Sequence, residues 1–578
     1  MVDIGIDFGS TYTTVSVYNK SSGKPEAVEM SEGDSASVPS VVAYIKGKTV
    51  IGSNAKSKKE KQTSGKFFAF KMMLPEEDQE RLTARGFTET HTPESVTKDF
   101  LETLLTKVLE RMGETKVGHL VVGAPEIWNE KLSTVDGRAK LRDICRSLSC
   151  VGADTTVQII SEPVAASAFF AHTFSANTGK AFNGNILLVD YGGGTLDITL
   201  TNVELRPDPS GKQNTEVKIL YRTGAGENEE KGNIGRAGII YMETLTRLAI
   251  RRAMPEEEIS VNSEFLDAVD RVEAILKNNT ELIGDIFEEY GTDPRKLDEK
   301  HMDEDYLLDE FLYRKEDIPL TYQMMAEAYR EVIEPIFREK LEEVKRYMDQ
   351  EGISYTTRTD DGFKIALVGG FGNFYLVKNQ LDRSFKISSS DRRCAGIMGG
   401  QSREKAVSLG AALVSGEVIR IRNTAPFSIG VACKQGKYYT MSYGLRYGQD
   451  IEFNKEYPQR KGERIEYVMA LDGIREFLIN FYADEQRTLP VPPREIFLKL
   501  IRDKIHKPPV SFGFSLDSSG IITLHVHEYD VINRCYGESQ SIELSNIKKL
   551  FDTQGIPEEK MRLVQESVQN WRGMRGRA

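Results

Sequence analysis

An α/β fold over residues 1–417, followed by an all-β segment and a short terminal helix, is the class this sequence predicts. Three observations carry it. A strand–turn–strand unit rich in Asp, Gly and small hydroxyl residues occurs twice, at residues 4–15 and 186–200. Between and after these units, apolar runs of strand length alternate with segments of helical apolar spacing. Beyond Gly416 the pattern changes to short alternating apolar runs broken by turn residues.

The first repeated unit reads Ile4-Gly5-Ile6-Asp7-Phe8-Gly9-Ser10-Thr11-Tyr12-Thr13-Thr14-Val15, and the second contains Val189-Asp190-Tyr191-Gly192-Gly193-Gly194-Thr195-Leu196-Asp197. Glycine lets a backbone take up positive φ and bring its N–H groups against phosphate oxygens where a Cβ would block the approach. An Asp closing the incoming strand would repel phosphate, so it is expected to hold Mg²⁺ through the waters that this ion retains. A single glycine turn is commonly structural. Two of one design, facing each other, predict a cleft that grips a nucleotide from both sides. The helix-based phosphate loop Gly-x4-Gly-Lys-[Ser/Thr] is absent from the sequence.

Composition narrows the class further. With 578 residues the chain is too long for one core, and its net charge of −11 argues against nucleic acid as the main partner. No stretch approaches the roughly 20 consecutive apolar residues of a membrane span, which predicts a cytoplasmic protein with no membrane partner. Five scattered cysteines without Cys-x2-Cys spacing read as reduced thiols, and His525 and His527 read as strand residues facing a neighbouring strand.

Along the chain, Val38-Pro39-Ser40 opens a further strand, and a Lys-rich stretch covers residues 56–66. Lys71 stands alone in the apolar run of residues 67–74. It reads first as a lysine snorkelling from a buried element, with an ammonium aimed into the cleft as the alternative. The spacing of Val96, Phe100, Leu101, Leu104, Leu105, Val108 and Leu109 is helical. Ser161-Glu162-Pro163 ends a strand and starts a helix, which places a carboxylate at a cleft edge. Residues 264–340 read as mostly helical and acidic, with residues 293–317 as a surface excursion. Gly369-Gly370 after an apolar strand looks like another backbone approach to ligand, and Asp517-Ser518-Ser519-Gly520 joins two alternating strands in a hairpin.

With Gly5-Ile6-Asp7-Phe8-Gly9-Ser10-Thr11-Tyr12, Val38-Pro39-Ser40, Ser161-Glu162-Pro163, Asp190-Tyr191-Gly192-Gly193-Gly194-Thr195, Leu367-Val368-Gly369-Gly370 and Gly410-Ala411-Ala412 in this order, the chain resembles the seventy-kilodalton heat-shock chaperones, the DnaK-like family of the actin-like ATPase superfamily. The resemblance implies an actin-like two-lobed ATPase domain over 1–417, a linker at 418–424, a β-sandwich at 425–540 that binds peptide, and a truncated helical lid at 541–578. It implies ATP or ADP with Mg²⁺, and K⁺ as a further ion. Gly9, Ser10, Thr11 and Tyr12 would meet the phosphates opposite Gly192, Gly193, Gly194 and Thr195, with Gly235 as a further contact. Asp7 and Asp190 would orient the metal, and Asp197 would help hold the monovalent cation. Lys71 falls on the family's catalytic lysine, which reverses its first reading, and Glu162 on the carboxylate that positions the attacking water. Ser10, Thr195 and Asp190 complete the implied catalytic set.

The adenosine end departs from the family. The family has a Glu, a basic pair and a Ser on one helix; here the aligned run begins at Asp270 and puts Glu273-Ala274 at the basic pair. A register shifted to Glu273, Lys277 and Thr280 partly restores the pattern, and Phe371-Gly372-Asn373 replaces Ser-Thr-Arg. Arg420 and Arg422 are interleaved in the linker where the family has a run of leucines. The implied activity is an ATP-dependent chaperone acting on unfolded or extended polypeptides, with cochaperones or nucleotide-exchange factors as partners. The alternative is a nucleotide-gated regulatory protein with one dedicated partner; a filament-forming actin relative or a sugar kinase ranks below both. Tyr438, Tyr439, Tyr443 and Tyr447 read as sandwich core and rim, with a peptide groove as the second reading.

Overall fold

The computed structural model describes residues 1–30, 36–58, 63–76, 78–125, 137–207, 213–225, 237–289, 307–358, 362–388, 391–394, 405–421, 423–425, 428–435, 438–446, 449–457, 465–467, 476–484, 494–499, 510–530 and 535–543. Gly235, Tyr447, Arg422 and most of the expected lid lie outside the described residues. The chain divides into two compact units, one of Met1–Glu130 with Lys140–Ile421 and the other chiefly from Arg422 onward.

The first unit is built on two sheets of one plan. In the first sheet the hairpin Val2–Phe8 and Tyr12–Asn19 is antiparallel, and Val117–Ala124 runs parallel to Val2–Phe8 on its other side. In the second sheet Gly184–Tyr191 and Leu196–Pro207 form the hairpin, and Phe363–Val368 is the parallel neighbour. Both repeated sequence units therefore become hairpins with their turns at the same end of the flanking parallel strands. Asp7 pairs with Thr14 and Gly123, and Asp190 with Asp197 and Val368, so each Asp stands at the C-terminal end of its strand.

Helices fill the faces of these sheets for reasons written in their sequences. Pro93–Met112 starts on a Thr92 side chain that accepts from the Ser95 N–H and stops at Gly113, whose φ of 68° suits a residue without Cβ. Its buried stripe includes Val96, Phe100, Leu101, Leu104, Leu105, Val108 and Leu109, as the spacing predicts. Two small-residue helices, Glu162–Thr178 and Ala406–Ser415, pack backbone to backbone: a Cβ added at Gly410 would fall 1.7 Å from the Ala165 carbonyl oxygen. On the other side of Ala406–Ser415, a Cβ at Gly5 would lie 2.2 Å from the Ala412 nitrogen. Gly410→Ala should therefore lower stability by about 3 kcal/mol or more, at the top of the range for overpacked cores. A chemical-denaturation midpoint equal to wild type would refute this packing.

Two segments differ from the sequence reading. The part of the expected surface excursion that is described, from residue 307 onward, is an antiparallel hairpin of Leu307–Tyr313 and Glu316–Thr321. Phe311, Tyr313, Ile318 and Leu320 are buried in the second-lobe core, while Asp309, Glu310, Glu316 and Asp317 are exposed. The second segment, Ile419–Ile421, is extended as its alternation predicts, yet it is paired: it adds a parallel strand to the edge of Gln213–Ala225, with Ile419 buried and Arg420 exposed.

The second unit contains two four-stranded antiparallel sheets. Ser428–Gln435 lies between Tyr438–Leu445 and Glu476–Asp484, the latter pairing with Arg494–Lys499. Val510–Leu516 and Ile522–Asp530 form the expected hairpin, in which the Asp517 carboxylate accepts from the N–H groups of Ser519 and Ile521 and Gly520 has φ 78°. His525 meets the hydroxyls of Ser515 and Ser541 on the two neighbouring strands, and His527 meets Glu456. No helix among the described residues is long and apolar enough to cross a membrane.

Candidate functional site

The two glycine turns face each other at contact distance. A Cβ at Gly193 would lie 2.2 Å from the Thr11 hydroxyl oxygen, and one at Gly194 would lie 2.7 Å from both the Ser10 hydroxyl and the Met72 sulfur. Only glycine permits this approach. The second turn is closed by the Gly192 N–H donating to the Thr195 carbonyl at 3.0 Å. The Gly369-Gly370 turn comes up beside it: Gly369 has φ 82°, and a Cβ there would strike the Tyr191 carbonyl and the Asp190 carboxylate.

Beneath the turns lies a buried cluster of charge. Lys71, in the short helical turn Phe70–Met73, donates to the Glu162 carboxylate at 2.5 Å, with both side chains less than one-tenth exposed. Glu162 is the first residue of its helix and sits over Gly123 at the end of a first-sheet strand. Burial, and then the negative charge of Glu162, push the Asp7 carboxyl up to about 7, although Lys71 pulls the other way. Burial pushes Asp190 well above the carboxylate range too, with Glu162, Asp7 and Asp197 adding to the effect and Lys71 opposing it. Four carboxyl groups against one ammonium leave the cluster short of positive charge, which a divalent cation would supply. Among the described residues no three His, Cys, Asp or Glu side chains converge closely enough to hold a metal alone. A Mg²⁺ here would keep part of its water shell and be held by Asp7 and Asp190 at one remove.

The far side of the cleft carries an ionic clasp that the sequence reading did not find. Lys56 lies 3.2 Å from the Asp270 carboxylate and 3.5 Å from that of Glu273, both on the helix Ser263–Asn278. Lys277 pairs with Glu273 at 3.4 Å and stands 3.3 Å from the centre of the Tyr12 ring. Lys66 reaches Asp267 at 3.9 Å, and Arg85 reaches Glu243 of the helix Gly238–Ala253 at 3.3 Å. Burial disfavours the Lys56 charge, but Glu273 and Asp270 outweigh it and raise the lysine above its usual value. Asp270 is also raised, because its burial outweighs the attraction of Lys56. The readable signal was the spacing of Asp267, Asp270 and Glu273 on one helix face opposite a Lys-rich stretch.

The structure thus brings together Asp7, Lys71, Glu162 and Asp190, and sets the Ser10–Thr11 turn against Gly193 and Gly194. Tyr12, Asp270, Glu273 and Lys277 form the clasp. Phe371 is elsewhere: its ring packs in the second-lobe core against Tyr191, Tyr241 and Phe374, with centroids 5.2–5.4 Å apart. An aromatic ring at this position joins the core where a serine would not, whereas Asn373, in the arginine's place, and Gly370 are exposed.

Residues 3–206, which contain both glycine turns, Lys71 and Glu162, match the family model described as Hsp70 protein. Over these residues the chain is similar to the Hsp70 family. It is 27% identical over 220 residues to a chaperone protein DnaK of Thermus thermophilus, an alignment covering 35% of this chain and 32% of that one. It is 30% identical over 233 residues to DnaK of Stenotrophomonas maltophilia, with the same coverage. DnaK of Anaplasma marginale aligns over 98% of the chain and 79% of its own length at 22% identity. In the first of these alignments the chain spans about a third of the relative's length. The first unit, with its paired hairpin sheets, is mixed α/β, and the match over residues 3–206 implies the actin-like ATPase fold.

Proposed function

We propose that this chain is a divergent Hsp70-like protein that binds ATP with Mg²⁺, hydrolyses it slowly, and uses the nucleotide state to control binding of unfolded or extended polypeptide. The observation that carries the reading is the pair of glycine turns in contact above a buried cluster of one ammonium and several carboxylates. Phosphoryl transfer needs positioning and charge stabilisation rather than covalent chemistry. Bound Mg²⁺ would neutralise phosphate charge. Ser10, Thr11, Tyr12 and Gly192–Thr195 would cradle the phosphates, with Gly9 and Gly369-Gly370 allowing close backbone approach. Lys71 would leave Glu162 to meet the terminal phosphate, which frees the Glu162 carboxylate to orient the attacking water. Asp197, fully buried beside Asp190, is proposed to help hold K⁺.

Domain limits of 1–417, 418–424, 425–540 and 541–578 are part of the proposal, with a peptide-binding sandwich formed by the two sheets of the second unit and cochaperones or exchange factors as partners in the cytoplasm. Phosphate release by the purified chain, measured with ATP and Mg²⁺ and with or without an unfolded polypeptide, tests it. Slow turnover altered by the polypeptide supports the coupled reading. Bound ATP without turnover or response would leave a nucleotide-gated binder in its place.

The clasp makes a separate prediction. Lys56 and Asp270 are about one-quarter exposed, so the pair is expected to contribute about 1 kcal/mol. Lys56→Ala should accelerate release of bound nucleotide about fivefold, as should raising the salt concentration on wild type. Stopped-flow displacement of a fluorescent ADP measures both; an unchanged rate in each would detach the clasp from nucleotide exchange.

A further inference from the structure

The two glycine turns are held from behind by different devices. In the second, the carbonyls of Gly192 and Gly193 accept from the N–H groups of Gly238 and Ile239, at 3.1 and 2.6 Å, so the start of the helix Gly238–Ala253 does the holding. In the first, a single residue does it. Ser40, between the strands Ser37–Pro39 and Val41–Ile45, donates its hydroxyl to the Gly9 carbonyl at 2.7 Å and its backbone N–H to the Thr11 carbonyl at 2.8 Å. Its oxygen also lies 2.9 Å from the Thr13 hydroxyl. A serine has one hydroxyl hydrogen, and with that hydrogen on Gly9, Thr13 must be the donor to Ser40. The residue is 2% exposed, so water offers no substitute.

A trans peptide points its C=O and its N–H in opposite directions. Holding the carbonyls of Gly9 and Thr11 on Ser40 therefore turns the N–H groups of Ser10 and Tyr12 to the opposite side of the turn. We propose that Ser40 is a positioning residue for polyphosphate: it sets the peptide planes whose amides receive phosphate oxygens, the task that a helix start performs for the second turn. This rests on the nucleotide reading of the site. Ser40 touches no phosphate itself and acts only through the turn.

The test compares wild type, Ser40→Ala, Ser40→Thr and Thr13→Val by displacement of a fluorescent ADP, using unlabelled ADP and, separately, adenosine, with thermal midpoints measured alongside. Ser40→Ala should bind ADP about tenfold more weakly, the usual size for loss of one buried charge-oriented hydrogen bond. Adenosine affinity should stay within about twofold, because the amides concerned serve phosphates alone. Ser40→Thr, which keeps the hydroxyl, should restore ADP binding. Thr13→Val leaves the Ser40–Gly9 bond in place and should lose less than about threefold. Equal losses for ADP and adenosine, no loss, or a Thr13→Val loss as large as that of Ser40→Ala would overturn the inference. If Ser40→Ala does not fold, Ser40→Cys, close in size but a weak donor, should show the same ADP-selective loss, and its absence would count equally against the inference. Failure of wild type to bind ADP would overturn the nucleotide reading and this inference together.

Discussion

Lys71→Met is expected to lower ATP turnover by about two to three orders of magnitude, the range for removing one preorganised charge from a phosphoryl-transfer site, while leaving nucleotide binding largely intact. The same substitution should destabilise the nucleotide-free protein. Lys71 and Glu162 form a buried pair, and removing one partner of such a pair costs about 3–5 kcal/mol because the other charge is left unpaired. Here that charge would face Asp7 and Asp190 as well. Adding Glu162→Gln should recover most of the stability and none of the turnover, and that opposite response separates the structural part of the pair from its chemical part. Turnover and unfolding midpoints on the two variants measure both. Wild-type turnover in Lys71→Met would mean that this ammonium does not work on the terminal phosphate.

Asp7→Asn should act in opposite directions on stability and on activity. The Asp7 carboxyl is raised from 3.8 to about 7 in the folded protein. A raised folded value means that its contribution to stability is complete below pH 3.8 and is lost as pH rises through about 7. Without metal or nucleotide, wild type should therefore weaken with rising pH across this window, whereas the Asn variant, neutral throughout, should not share that slope. Above pH 7 the variant should be the more stable by an amount on the order of 4 kcal/mol, since each tenfold change in proton affinity is worth about 1.4 kcal/mol. Its Mg²⁺ affinity should fall about 10–100-fold, as for loss of a carboxylate that holds a metal through its waters. Urea titrations at several pH values in chelator, followed by Mg²⁺-dependent turnover, test the two halves; parallel pH curves for both proteins would contradict the buried-charge account.

The legible parts of this molecule were those where chemistry demands rare residue types. Gly192-Gly193-Gly194 and Asp7-Phe8-Gly9 announce a close backbone approach, and the structure brings the two turns into contact. Lys71 was only half legible: an isolated lysine in an apolar run has two meanings, and the run itself does not carry Glu162, the carboxylate that it meets in the structure. The hairpin after residue 306 was hidden by its turn. Arg314 and Lys315 occupy it with φ of 47° and 71°, a conformation usually signalled by Asn or Gly. Phe371 misled because a position in a ligand-facing motif had been taken over by the core. Ser40 carried no signal of its own, since a serine that braces a carbonyl looks like any other serine.

The close passage of Gly410 over Ala165 sets limits on motion. Ala406–Ser415 is seated on the first sheet through Gly5, and Glu162–Thr178 is joined to the second through the Ser167 and Thr201 hydroxyls. Two helices in backbone contact cannot slide past one another, but they can turn about the point where they touch. Any opening of the cleft would be expected to turn about this contact as an axle, with more travel at the Lys56 rim than near Gly410. Amide hydrogens near the axle should exchange slowly whether the cleft is open or shut, and those at the rim should report its state.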